Sequence, residues 1–145
     1  GARFAILRVS NALGRWQTSA TQGVVGAALR AARSGRPLRL YGGGTQIRDF
    51  VDADDVAEAI LAAGKDMKHP SATWNVGSGV GMRIAHVIDE VATLTGKSIS
   101  VEEAPARSLD VPYIVLDCGK IANDLGWRSK IPLNDSIRAM WQGLV

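Results

Sequence analysis

Apolar residues recur along this chain in two periods, and the alternation between them sketches its elements. Phe4-Ala5-Ile6-Leu7-Arg8-Val9 is almost continuously apolar, which predicts a strand buried on both faces, ended by Ser10-Asn11-Ala12-Leu13-Gly14. Leu38-Arg39-Leu40-Tyr41 and the stretch from Gln46 to Val51 alternate instead, as strands with one apolar face do. Helical spacing appears at Val24, Val25, Ala28, Leu29 and Ala32, then at Val56, Ala57, Ile60 and Leu61. It returns at Ile84, Val87, Ile88, Val91 and Leu94, and in a last amphipathic helix carrying Leu133, Ile137, Met140, Trp141 and Leu144. Gly35 with Pro37 stops the first helix and Gly96 the third. A shorter helix, Gly119 to Leu125, is capped by Asp117 and closed by Gly126 and Trp127. Strands are also expected at Thr73 to Val76 and Ser98 to Val101, and loops at Arg15 to Gln22 and at Asp66 to Ala72, with Pro70.

The chain is organised around Leu38 to Ile60. Gly42, Gly43 and Gly44 permit a tight reversal, so the two flanking extended pieces are expected to form a hairpin. Asp52, Asp54 and Asp55 stand ahead of a helix from about Asp54 to Lys65, where carboxylates cap free amides and favour the positive end of the dipole. Asp52 and Asp55 have capping-box spacing. By contrast Met82 and Arg83, at the start of the Ile84 helix, offer no cap, so that start is expected to be weakly held.

Tyr41-Gly42-x-Gly44-Thr45-Gln46-x-Arg48-Asp49-Phe50-Val51, followed by Asp54-Asp55-Val56-Ala57-x-Ala59-Ile60, resembles a signature of the extended short-chain dehydrogenase/reductases. Within them it is most similar to the NAD-dependent nucleotide-sugar epimerases and dehydratases of the UDP-glucose 4-epimerase type. The resemblance runs from about Phe4 to the end of the chain but covers only the C-terminal part of such an enzyme. It implies an α/β fold: the substrate-binding portion, residues 1–145, with strands at the edge of a Rossmann-type sheet. Cut off from that sheet, the Phe4–Val9 and Thr73–Val76 strands would expose unpaired edges.

The resemblance also implies site residues. Asn11 falls on an asparagine that reaches toward the diphosphate sugar, although Ser10 stands where many members have an aromatic and Arg15 where many have proline. The residues alone read Asn11 as a turn residue satisfying its own backbone. Ala104-Pro105-Ala106-Arg107-Ser108-Leu109-Asp110-Val111 resembles the family's P-x-R-x-x-D-V loop, whose arginine pairs with the diphosphate and whose aspartate faces the ribose. Arg48 is implied as a second cation for that diphosphate, and the backbone around Leu40 and Tyr41 as a nucleotide contact. A guanidinium suits a phosphate because its fixed fork donates two charge-assisted bonds at once. On the residues alone, Arg48 pairs with Asp49 or Asp52 and Arg107 stays in solvent.

Thr73-Trp74-Asn75-Val76-Gly77-Ser78-Gly79-Val80-Gly81 imitates a dinucleotide fingerprint, with a helix after it and Glu102 where a ribose-binding carboxylate belongs. Met82 occupies the third glycine position, and the segment is better matched to the family's late Y-N-x-G-x-G strand and turn.

Composition narrows the rest. With 46% hydrophobic and 21% charged residues the 145-residue chain is one domain's worth of globular protein, and its net charge of +3 does not by itself mark a nucleic-acid binder. One cysteine, Cys118, excludes an intrachain disulfide and provides no metal cluster, in keeping with a reducing cytoplasm. No apolar run approaches the ~20 residues of a membrane helix. His69 and His86 read as solvated, Trp127 and Trp141 as core, and the abrupt opening at Gly1 as a cut edge. The Tyr-x-x-x-Lys pair that performs proton transfer in this family is absent, since Tyr41 is followed four on by Thr45 and Tyr113 by Asp117. The general base and most of the NAD site are therefore expected outside this sequence, and the chain alone is expected to be inactive. A UDP-sugar or related nucleotide-sugar is the expected partner, and a homodimer is one option for the complete enzyme. A related reductase or sugar synthase, or a non-catalytic dinucleotide-sensing relative, stays open as the parent.

Overall fold

The computed structural model describes residues 3–17, 23–66, 68–69 and 71–143. Leu144, Pro70 and the end of the Arg15–Gln22 loop lie outside them, as does Gly1. Eight strands and five helices alternate along the described chain: β1 (Ala5–Val9), β2 (Asn11–Leu13), α1 (Val24–Ser34), β3 (Leu38–Tyr41), β4 (Ile47–Asp52), α2 (Ala53–Lys65), β5 (Ala72–Val76), β6 (Gly81–Arg83), α3 (Ile84–Thr95), β7 (Val101–Ala104), β8 (Tyr113–Ile114), α4 (Gly119–Leu125) and α5 (Leu133–Gly143). The expected α/β class is what the chain adopts.

The strands form three small sheets. β1 pairs in parallel with β5, and β3 in parallel with β7. β4 is the hub of the third, parallel to β2 and β8 and antiparallel to β6. The expected hairpin does not form. Gly42, Gly43 and Gly44 all take positive φ (57°, 62° and 65°) in a 3₁₀ turn that sends β3 and β4 into different sheets. A glycine turn dictates a reversal of the chain; it does not dictate that the flanking strands pair. The fingerprint imitation also dissolves, because β5 and β7 belong to separate sheets and Met82 lies in β6, opposite Arg48.

Two apolar cores hold these pieces. Leu13, Val25, Leu29, Val87, Val91 and Ile137 knit α1, α3 and α5 over β2 and β3. Val51, Ala59, Trp74, Val76, Ile121 and Trp127 knit α2 and α4 to β4 and β5. Trp127 is core as expected, its indole N–H donating to the carbonyl of Asp55 at 3.1 Å, and Trp141 packs half-buried against the first core. β1 departs from expectation: Phe4 and Ile6 are 54% and 48% exposed, because among the described residues only β5 pairs with this strand.

α2 turns differently from its apolar periodicity. Asp55, Ala59 and Ala63 face inward, whereas Ile60 and Leu61 are exposed. The reason is Asp55, whose Oδ2 accepts from Ser129 Oγ and from the backbone N–H groups of Lys130 and Ile131 at 2.9–3.0 Å. That bonding removes Asp55 from the capping box, and Asp52 caps alone through Asp54 N at 2.8 Å. A buried carboxylate with three donors satisfies a need that two exposed aliphatic side chains do not have.

α3 starts at Arg83 with no side-chain cap, as expected, but its first amide is not orphaned. Ile84 N donates to the carbonyl of Gln46 at 3.0 Å, and Gly44 lies so close beneath that a Cβ there would stand 2.9 Å from Ala85 N. His69 is half-buried rather than solvated, its ring 3.2 Å from Asp66 Oδ2 and edge-on to Trp74. His86 is exposed and lies 3.3 Å from Glu90.

Asp124 accepts from Lys120 Nζ at 2.8 Å and from Trp74 Nε1 at 2.9 Å, and these bonds, that from Lys120 foremost, hold it below the usual carboxylate range. A carboxylate depressed in the folded state contributes stability that is present above its unfolded pKa and lost as pH falls through the folded one. Lys120→Ala is expected to move the Asp124 midpoint upward in an NMR titration. An unmoved midpoint would show that Lys120 is not the cause.

Candidate functional site

Strand alternation sets the site. Along β4, Arg48 and Asp49 project to opposite faces, as successive residues of a strand do. Asp49 points inward, fully buried, and its carboxylate ties two other segments of chain to β4. Oδ1 accepts from Ser78 N at 2.8 Å and Ser78 Oγ at 2.6 Å, and Oδ2 from Gly79 N at 3.2 Å and Leu116 N at 3.3 Å. Gly77 must be glycine here, since a Cβ would stand 2.3 Å from Asp49 Oδ2. Cys118 closes the same region, donating its thiol to the Gly77 carbonyl at 3.4 Å, and burial pushes that thiol upward in pKa, away from nucleophilic use.

On the other face, Arg48 lines a cleft of about 570 Å³ between β2, α1 and β3, a size suited to a small ligand. All six residues implied by the sequence, Asn11, Leu40, Tyr41, Arg48, Arg107 and Asp110, line this one cleft. Asn11 is not a turn residue; it sits in β2 and donates its amide to the carbonyl of Asp49 at 2.9 Å. Arg48 forms no ion pair with Asp49 or Asp52; its Nη1 donates to the carbonyl of Ile47 at 2.8 Å. Asp49 and Asp52 are engaged with Ser78 and Ser136 instead.

Arg107 is exposed but not solitary. Its Nε and Nη2 donate to the two oxygens of Asp110 at 3.0 and 2.9 Å, which raises its pKa, and its guanidinium stacks on the Tyr41 ring at 4.3 Å. Asp110 therefore engages one edge of the guanidinium fork. The other edge, Nη1 with Nη2, stays oriented by the same pair. Arg39, Arg48 and Arg107 against the single carboxylate of Asp110 leave the described lining with a positive excess.

Of the lining residues that escaped the sequence reading, Gln46, Phe50 and Arg39 do most to shape the cleft. Gln46 donates Nε2 to the carbonyl of Tyr41 at 3.2 Å, so that carbonyl is already engaged. Phe50 forms an apolar wall, and Arg39 stacks 5.4 Å from the Tyr41 ring. Gln46 and Phe50 both lie within the signature stretch and could have been taken from it; Arg39 carried no signal beyond its place in an alternating strand. Among the described residues no cluster of three His, Cys, Asp or Glu could hold a metal ion, and no helix is long and apolar enough to cross a membrane.

Known proteins resemble this chain in sequence and in fold. The sequence profile of the NAD dependent epimerase/dehydratase family matches residues 1–77. The dTDP-6-deoxy-L-talose 4-dehydrogenase (NAD(P)(+)) of Kitasatospora kifunensis is 30% identical over 148 residues, covering 94% of this chain and 44% of that protein. The UDP-glucose 4-epimerase of Thermotoga maritima, solved with UDP-glucose, superposes on 99% of this chain and 46% of its own, with a TM-score of 0.91 and 27% identity. That of Thermus thermophilus, solved with NAD, covers 100% of this chain and 48% of its own, with a TM-score of 0.87 and 32% identity. The chain thus spans less than half the length of each. With its fold, its signature stretch and more than half of its residues matched, the chain belongs to the NAD dependent epimerase/dehydratase family.

Proposed function

We propose that this chain is the nucleotide-sugar-binding portion of an NAD-dependent sugar epimerase or dehydratase of the UDP-glucose 4-epimerase kind. The observation that carries the reading is the single cleft lined by Asn11, Leu40, Tyr41, Arg48, Arg107 and Asp110, with its positive excess. Arg48 approaches a diphosphate from β4, which Asp49 anchors, and Arg107 from the loop after β7. Two cations lining one small cleft repel, so stability alone gives no reason to place them there; a diphosphate does. Asp110 faces the ribose and orients Arg107, while Asn11, tied to Asp49 through its amide, reaches toward the sugar.

These residues anchor the nucleotide and do not perform the reaction. No Tyr-x-x-x-Lys pair is present, and no described segment forms the glycine-rich strand-to-helix cradle that would hold NAD. NAD, held by the other half of the enzyme, supplies the hydride chemistry. Anchoring at the diphosphate leaves the sugar able to turn while its nucleotide stays fixed, so the binding energy lies remote from the reacting carbon.

The test is turnover with and without the N-terminal half. The 145-residue chain alone is expected to turn over no UDP-glucose, and the complete enzyme to interconvert it with its C4 epimer. Since one relative acts on a dTDP-sugar, calorimetry on the complete enzyme should carry UDP and dTDP arms. Turnover by the chain alone, or a complete enzyme that binds neither nucleotide, would overturn the reading.

A further inference from the structure

The first 48 residues hold eight arginines and no aspartate or glutamate, and the fourteen acidic residues all lie from Asp49 onward. Half of those arginines fall at a spacing of three: Arg30 and Arg33 in the last turns of α1, Arg36 in the connection, and Arg39 on β3. The fold brings all four to the rim of one shallow groove of about 650 Å³, floored by Ala31 and Leu38. Arg33, Arg36 and Arg39 are exposed, and no carboxylate among the described residues lies within ion-pair distance of them. Glu102 stands opposite Arg39 in the β3–β7 register without closing a pair.

A cation in the last turn of a helix complements the dipole, and that suffices for Arg33. It does not extend to Arg36, past the left-handed Gly35, or to Arg39 on a strand. Arg33, Arg36 and Arg39 gathered on one groove repel, and no carboxylate among the described residues pairs with any of the three. The groove also shares Ala27, Leu38 and Arg39 with the nucleotide cleft, so the two clefts meet along β3.

We propose that this groove is a second anion-binding site, distinct from the Arg48–Arg107 cleft, for a small ligand carrying two or more linked phosphates. Guanidinium forks match phosphate oxygens in pairs, and linked phosphates bring several charges within a few ångströms, where a carboxylate brings one. The size of the groove suits a small molecule rather than a folded partner. The inference does not rest on the nucleotide reading, because Arg33 and Arg36 line the groove and not the nucleotide cleft.

Tripolyphosphate titrated calorimetrically into the 145-residue chain at low ionic strength tests it, since screening beyond a Debye length of about 10 Å at 0.1 M weakens exposed charges. The Arg33→Ser/Arg36→Ser double variant is expected to lose affinity by about tenfold or more. Both positions are exposed, and an unchanged circular dichroism spectrum shows that this variant keeps its fold. The Arg48→Ala/Arg107→Ala variant, which empties the nucleotide cleft, is expected still to bind one tripolyphosphate in the groove, and the Arg33→Ser/Arg36→Ser change made in that background is expected to weaken this remaining site about tenfold or more. Loss confined to the Arg48/Arg107 variant, equal affinity in all variants, or no binding at all would overturn the proposal. So would oligoglutamate of equal charge binding as tightly, which would mark a merely cationic surface. A failure of UDP binding in the complete enzyme, with tripolyphosphate binding intact here, would count against the proposed function alone.

Discussion

Asp49→Ala is expected to unfold the chain or to lower its melting temperature by about 10–20 °C, the largest single-residue effect in the molecule. Its carboxylate is fully buried and accepts from the backbone amides of Ser78, Gly79 and Leu116 and from the Ser78 hydroxyl. Alanine leaves those donors without an acceptor, and each buried unsatisfied donor costs about 1–3 kcal/mol. A total of about 3–5 kcal/mol is a large share of a domain stability of about 5–15 kcal/mol. Gly77→Ala is expected to be comparably damaging, because its Cβ would stand 2.3 Å from Asp49 Oδ2. Since both changes act on one contact, the double variant should be less destabilised than the sum of the singles. Thermal unfolding followed by circular dichroism reads all three. A near-native melting temperature for Asp49→Ala would show that Asp49 is not the clasp described above.

Arg107→Ala in the complete enzyme is expected to raise KM for the nucleotide-sugar about 10- to 100-fold while kcat changes by less than about threefold. A hydrogen bond to a charged group contributes about 1.5–3 kcal/mol, and 1.4 kcal/mol is a factor of ten. The contact proposed is to a diphosphate that is the same before and during the hydride step, so its loss should leave kcat alone. Asp110→Ala should give a smaller rise through the same parameter, by releasing the edge of Arg107 that it now holds. Steady-state kinetics decide the matter. A fall in kcat with KM unchanged would place Arg107 at the reacting centre and not at the anchor.

How much of this was legible in the sequence follows from what each signal encodes. The helix α3 and its left-handed Gly96 stop lie where apolar spacing and glycine placed them, because both are local properties. The six cleft residues were legible through their order in a family signature, not through any spacing of their own. The β3–β4 pairing was misread because the partner of a strand is a long-range choice, and β7, some sixty residues on, outcompetes its sequence neighbour. The inward face of α2 was misread because hydrophobicity ranks Ile60 above Asp55, while three donors waiting at residues 129–131 reverse that order. The missing cap of α3 was legible; the carbonyl of Gln46 that stands in for it was not, since no local pattern announces it.

That substitute cap ties the mobility of two regions together. With Ile84 N bonded to the Gln46 carbonyl, and Gln46 bonded in turn to the carbonyl of Tyr41, the first turn of α3 cannot fray on its own. Helix ends ordinarily open at little cost, exchanging their amide hydrogens long before the core does. Here the opening of α3 at its start must also release the glycine turn and the strand end that carries Tyr41. The aromatic ring beneath Arg107 therefore inherits the slower breathing of a three-turn helix whose apolar face is buried, although it sits at the mouth of an open cleft.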